Sequence, residues 1–237
     1  YGLYAHSMDG DITLWLVEAS YNGVKGAYLE AGCTCTGNIF VEDSLFIGND
    51  EYGLYAVTQQ GNISLDGVIE DGDGDPDPGV VSPETNIGAF LKSYGGGVIS
   101  VADSTFANNV GYGVEAVSVF GGPGPAILLS NVTAEDNGGD GARLLSGWTF
   151  GCFGPQGIEV RVADGNYLAN GGYGFYVAPG PLGTLTLAGT INFAANANGD
   201  YYLDLSNPCL PPPEPPHPPQ PPVPPLPVKV VEVPDTG

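Results

Sequence analysis

An asparagine placed four residues ahead of a glycine recurs along this chain and limits what it can fold into. Asn22, Asn49, Asn109, Asn137 and Asn170 stand four before Gly26, Gly53, Gly113, Gly141 and Gly174, and Asn196 stands four before Asp200. Three places ahead of each asparagine is an apolar residue: Ala19, Phe46, Phe106, Ala134, Tyr167 and Phe193. Adding Gly2 and Gly88 gives eight starts, 24 to 35 residues apart. Such a period marks an array of repeats, each burying its apolar face against its neighbours, with insertions held in loops.

Inside each repeat the apolar residues alternate. The first stretch carries Leu3/Ala5, Ala27/Leu29, Leu54/Ala56, Ala89/Leu91, Val114/Ala116, Ala142/Leu144, Phe175/Val177 and Tyr201/Leu203 at equivalent places. A second carries Ile12/Leu14, Ile39/Val41, Ile63/Leu65, Ile99/Val101, Ile127/Leu129, Val160/Val162 and Leu185/Leu187, and a third centres on the residue three before each asparagine. A period of two means strands with one inward face. With 38 glycines and only five basic residues, Lys25, Lys92, Arg143, Arg161 and Lys229, the composition favours short strands over helices. The expected class is all-β: a solenoid of about eight coils over residues 1–209, three strands to a coil, forming a parallel β-helix.

The asparagines then occupy the turn between the third strand and the next first strand. Asn tolerates the left-handed conformation, and amides stacked at about 4.8 Å can hydrogen-bond to one another up the helix. In the fourth repeat Asn86 lies two before Gly88, so the ladder is expected to shift there. The turn asparagines and the inward aliphatic and aromatic columns resemble the right-handed parallel β-helix superfamily. That is the fold of pectate lyases, polygalacturonases, tailspikes and many bacterial surface proteins, and archaeal or bacterial surface proteins are the nearest type. The resemblance implies a fold shared by unrelated functions.

After Cys209 the composition changes. Residues 210–227 are mostly proline and read as a polyproline II linker, reaching roughly 50 Å at about 3.1 Å per residue. Residues 228–237 hold a strand-like segment in which Val228, Val230, Val231 and Val233 are the apolar positions. The closing Val233-Pro-Asp-Thr-Gly237 resembles a variant of the sortase cell-wall motif.

A formal charge of −22 excludes nucleic acid as a natural partner, since counterion release needs a basic surface. No apolar run approaches the roughly 20 residues that span a bilayer, so no membrane insertion is expected of this sequence. Cys33, Cys35, Cys152 and Cys209 match no zinc spacing; an even count in an acidic, Lys-poor chain suggests an oxidising, extracellular or cell-surface setting, with buried free thiols as the alternative. The expected pairing is Cys152 with Cys209, leaving Cys33 and Cys35 to each other or to another chain. Asn62-Ile-Ser64 and Asn131-Val-Thr133 are glycosylation triplets.

Lyase or hydrolase chemistry would need a basic residue beside acidic metal ligands, or clustered carboxylates on neighbouring strands. Arg143 and Arg161 lie in no evident acidic cluster, and Glu115 with Arg143 reads as an exposed ion pair, so no catalytic residue is assigned and the chain is not expected to be an enzyme. No cofactor is expected. Asp71, Asp73, Asp75 and Asp77 alternate as in a calcium loop, but Pro76 replaces the turn glycine, so a structural Ca²⁺ and a solvated acidic insert remain open alternatives. An outward stripe of Tyr4, Tyr28, Tyr55, Phe90, Tyr176 and Tyr202 reads as a contact face for protein or glycan, or as a surface that loops cover.

The first repeat opens in a strand and the last leaves through the tail, and uncapped ends of this kind associate unless covered. The leading expectation is an extracellular structural protein, a homopolymer whose subunits stack head to tail into a filament or surface fibre. In it the C-terminal tail binds a neighbouring subunit. The alternative is an adhesin or glycan-binding module on a proline-rich wall spacer, and a polysaccharide lyase or hydrolase comes third.

Overall fold

The computed structural model describes residues 1–32, 36–72, 86–119, 125–147, 158–180 and 183–204. The chain divides into two units, Tyr1–Asn207 and Pro208–Gly237, and the second lies outside the described residues, as do residues 210–237 of the expected linker and strand.

All regular structure described is β-strand, and every strand pairing is parallel, as expected for a β-helix-like fold. One sheet has eight strands in the order β1 (Leu3–Ser7), β3 (Lys25–Ala31), β6 (Tyr52–Thr58), β9 (Ile87–Ser93), β12 (Val114–Val119), β14 (Ala142–Gly147), β16 (Tyr173–Ala178) and β18 (Gly199–Leu203). The other has ten. Its members β2 (Ile12–Trp15), β4 (Ile39–Glu42), β7 (Ile63–Asp66) and β10 (Ile99–Ala102) pair in series, as do β5 (Leu45–Ile47), β8 (Ile69–Asp71) and β11 (Thr105–Ala107). Both series run onto the two halves of the long strand β13 (Pro125–Glu135), which continues to β15 (Glu159–Leu168) and β17 (Thr184–Ala194). The chain therefore returns to each sheet once per repeat, pairing beside its previous pass.

The register matches the sequence columns residue for residue. Leu3, Ala27, Leu54, Ala89, Val114, Ala142, Phe175 and Tyr201 form one inward column, and Ala5, Leu29, Ala56, Leu91, Ala116, Leu144, Val177 and Leu203 form the next. Where one column holds alanine, the other mostly holds leucine, and the order swaps between adjacent passes. Summed volume stays nearly constant while large side chains interlock with small ones, which fills the interior at native density. Ile39, Ile63, Ile99, Ile127 and Val160 face them from the second sheet, all fully buried.

Corners come from left-handed residues. Leu16, Asp43, Gly67, Asp103, Asn131, Asp164 and Gly189 take φ between 47° and 68° where each pass bends from its second stretch to its third. At the next corner the left-handed residues are Tyr21, Gly48, Asn108, Asp136, Ala169 and Ala195, each immediately before a ladder asparagine. This corrects the expectation that the asparagine itself takes that conformation. The neighbour supplies the bend, and the asparagine keeps an ordinary backbone so that its amide can point along the column.

Candidate functional site

The asparagines form the expected ladder. Asn137 donates from Nδ2 to Asn170 Oδ1 at 3.0 Å and to the Phe106 carbonyl at 3.0 Å, and its Oδ1 accepts from Asn109 Nδ2 at 2.9 Å and Asn109 N at 3.2 Å. Asn170 repeats this with Asn196, and Asn22 with Asn49, each at 2.9 Å. The carbonyl reached from the pass above belongs to the apolar residue three before the asparagine, as at Ala19, Ala134 and Tyr167. Each amide thus satisfies backbone groups that the corner would otherwise leave buried and unbonded. The glycine four residues on has a reason too. A Cβ on Gly113 would lie 2.5 Å from the Gly141 carbonyl and 2.9 Å from Asn137 Nδ2. Asparagine and glycine are two halves of one packing requirement.

Two departures follow. Asn86 stands just before β9, where the register sets Ile87 beside Tyr52, and its carbonyl accepts from Gly111 N at 2.6 Å. The residues after Gly72 in that pass lie outside the described residues, and with them the expected shift of the ladder. A second, shorter ladder went unread in the sequence: Asp11 Oδ1 accepts from Asn38 N and Nδ2, Asn38 Oδ1 from Asn62 N, and Asn62 Oδ1 from Val98 N. Three rungs are too few to stand out without the register.

The outward face of the eight-stranded sheet is the richest in chemistry. Tyr4, Tyr28, Tyr55, Phe90, Glu115, Arg143, Tyr176 and Tyr202 share one column. The first four rings stack at centroid distances of 5.2, 5.0 and 4.9 Å with planes within 16°. In-register parallel pairing forces this, because like side chains repeat at the strand spacing. The ring faces are turned to one another, so the column presents edges and hydroxyls outward. Burial, then Glu30, which accepts the Tyr28 hydroxyl at 3.4 Å, and neighbouring Tyr55 push the Tyr28 phenol up to about 12. Burial does the same to Tyr52, and burial with the bond to Asp204 (2.9 Å) to Tyr176.

Three of the five basic residues of the chain sit on this face, each over aromatic rings. Lys25 Nζ lies 4.8 Å from the Tyr52 ring centre and 2.8 Å from Glu51, Lys92 Nζ lies 4.5 Å from Tyr94, and the Arg143 guanidinium lies 4.9 Å from Tyr112 and 5.8 Å from Tyr176. The Glu115–Arg143 pair is 3.8 Å apart with side chains 11% and 26% exposed, so it is part of the packed face and not the exposed pair expected. The tyrosine column was legible from its constant offset, but Lys25, Lys92 and Arg143 stand in three different outward columns, so spacing alone scattered these cations. Arg161 is elsewhere, exposed on β15. No protein-family profile, curated protein or solved structure matches this chain.

The remaining expectations fall as follows. Of the four calcium candidates only Asp71 is described; it accepts from Asn108 Nδ2 at 2.8 Å. Asp73, Asp75 and Asp77, the four cysteines and Val228, Val230, Val231 and Val233 lie outside the described residues. Among the described residues there is no group of three or more His, Cys, Asp or Glu set to hold a metal, and no helix long and apolar enough to cross a membrane. Asn62 and Asn131 are both exposed. Glu70, which in the sequence heads the acidic run of calcium candidates, is fully buried in the inward column between Phe46 and Phe106. A charged letter breaks an apolar pattern, so the column position was invisible until pairing fixed it.

Proposed function

We propose that the chain is a parallel β-helix of eight coils acting as an extracellular structural protein, whose subunits associate end to end into a filament or surface fibre. The observation that carries this reading is the change in burial at the last pass. Phe175 and Val177 are fully buried, whereas Tyr201 and Leu203, the next members of the same columns, are 49% and 38% exposed, and Leu187 is 42% exposed above buried Val162. Inward-facing apolar side chains and a parallel strand edge unpaired among the described residues together favour addition of another β surface. The tail of one subunit serves as a tether to its neighbour, with Val228, Val230, Val231 and Val233 as the apolar positions of an added strand. Acidic, Lys-poor composition with four cysteines supports an extracellular or cell-surface location.

Sedimentation and negative-stain microscopy test it. Concentration-dependent polymers that are lost in Tyr201→Asp plus Leu203→Asp, and weakened by removal of residues 210–237, are expected. A parent protein that stays monomeric at every concentration would overturn it.

A second reading, a glycan-binding surface module, is favoured by one observation: the cations of a strongly acidic chain gather with tyrosines on one face. Tyr28→Ala plus Tyr55→Ala should then abolish glycan capture while leaving the monomer folded.

A further inference from the structure

Four asparagines in the sequence precede a glycine: Asn22, Asn137, Asn170 and Asn198. Such a pair is chemically fragile because glycine, lacking Cβ, lets its own backbone nitrogen swing onto the side-chain amide carbon of the residue before it. The structure divides the four sharply. Asn22, Asn137 and Asn170 belong to the ladder, and the latter two are 1% exposed. The amides of Asn137 and Asn170 are held on both sides by the bonds to Asn196, Asn170, Asn109, Phe106 and Ala134, whereas Asn22, half-buried in the first pass, is held through Nδ2 by Asn49 Oδ1 at 2.9 Å and the Ser20 carbonyl at 3.3 Å. The attacking nitrogens are held as well: Gly138 N donates to the Asn109 carbonyl at 2.8 Å and Gly171 N to the Asn137 carbonyl at 2.7 Å. Ring closure there requires several buried hydrogen bonds to break first.

Asn198 is in the opposite condition. It sits in an exposed turn between β17 and β18. The following Gly199 has φ of 118°, has open space where a Cβ would be, and donates to the Asn196 carbonyl only at 3.3 Å.

We propose that Asn198 is a site of spontaneous deamidation and that the ladder protects Asn137 and Asn170, with half-buried Asn22 between the two extremes. The Gly199 nitrogen loses its proton to water or hydroxide and bonds to the Asn198 Cγ. The Cγ–Nδ2 bond breaks, ammonia leaves, and a five-membered succinimide closes. Water then opens the ring to aspartate or isoaspartate, with no oxidant or reductant involved. The product carries a new carboxylate on the last pass, beside Asp200. On the filament reading proposed above, to which only this consequence is tied, the change adds like charge to the surface that must meet the next subunit.

The test is peptide mapping of the folded protein held at mildly alkaline pH, with isoaspartate detected by enzymatic methylation. Conversion at Asn198 is expected to outrun Asn137 and Asn170 by a factor of roughly ten or more, because those two sites must first break buried bonds. In denaturant the four should convert at comparable rates, and Asn198→Gln should remove the early product. Conversion of Asn137 or Asn170 as fast as Asn198 in the folded protein would overturn the proposal. Sedimentation of Asn198→Asp reads the effect on assembly separately. A monomeric parent would count against the filament while the mapping still decides the site.

Discussion

The passes from β12 to β16 and the last pass, β17 with β18, are built from the same columns, yet they differ in what those columns experience. In the interior, Phe175, Val177, Val160, Val162 and Tyr167 are sealed between two neighbours. In the last described pass, Tyr201, Leu203, Leu185, Leu187 and Phe193 have the same inward direction and, among the described residues, a paired strand on one side only. A repeat of this kind gains its stability from the interfaces between passes, so a residue contributes according to how many interfaces it touches. Chemically equivalent residues should therefore differ in cost by position.

The ladder gives the largest expected difference. Asn137→Ala takes the side-chain partner from the Phe106 carbonyl and the Asn109 N–H groups and leaves Asn170 Oδ1 only the bond from the residue 137 backbone N at 3.3 Å, and should cost about 3–5 kcal/mol, with each orphaned group contributing about 1–3 kcal/mol. Asn196→Ala removes one rung at the partly exposed end and should cost about 1–2 kcal/mol. Denaturant midpoints of the two variants check the comparison. Equal losses would show that the last pass is sealed like an interior one.

Side-chain truncation gives the next. Phe175→Ala opens a cavity in a closed interior, and about 3–5 kcal/mol is the expected loss. Tyr201→Ala removes a half-exposed ring that stacks on Phe175 at 5.4 Å and should cost less than about 1.5 kcal/mol. Thermal unfolding of both reads the ratio directly, and a ratio near one would again place a cover over the last pass.

Alkaline titration separates packed tyrosines from free ones. The Tyr28, Tyr52 and Tyr176 phenols, normally near 10, are held up to about 12, chiefly by burial. The native state therefore keeps protons that the unfolded chain releases above pH 10. The contribution is fully present below pH 10 and is lost as pH rises toward 12. Unfolding free energy should fall across that window, and Tyr28→Phe should make the fall shallower. A flat profile from pH 9 to 12 would mean that these rings are not packed as described.

Much of the architecture could be read from letters because the inward columns repeat one chemical type at a fixed offset. Leu29, Ala56 and Leu91 lie two after their partners in each pass, whatever the loop lengths between passes. What escaped had no common letter. The first corner is Leu16, Asp43, Gly67, Asp103, Asn131, Asp164 and Gly189, because several residue types reach a left-handed backbone at small cost while the corner's geometry is the same. Lys25, Lys92 and Arg143 belong to three different outward columns, and only the sheet brings them onto one face. Glu70 escaped because periodicity arguments assume that an inward position is apolar. The Glu115–Arg143 pair was misjudged because an outward position on a sheet need not be a wet one.

The smallest predicted effect bears on the same interior and has the opposite sign. Tyr167 is fully buried, T-shaped to Phe175 at 5.3 Å, and its hydroxyl has no hydrogen-bond partner among the described residues. Burial drives its phenol pKa far up, so the group stays neutral, but a neutral hydroxyl without a partner still costs desolvation. In the next pass the same column holds Phe193, which stacks on Tyr167 at 5.7 Å and carries no hydroxyl. Tyr167→Phe keeps the ring and its two aromatic contacts while removing the uncompensated polar atom. It should raise stability by about 1 kcal/mol, seen as a higher denaturant midpoint at unchanged slope. A loss of stability would mean that the hydroxyl is satisfied in solution by a water held between the passes. The interior would then be wetter than its columns of leucine, isoleucine and phenylalanine imply, and less distinct from the last pass.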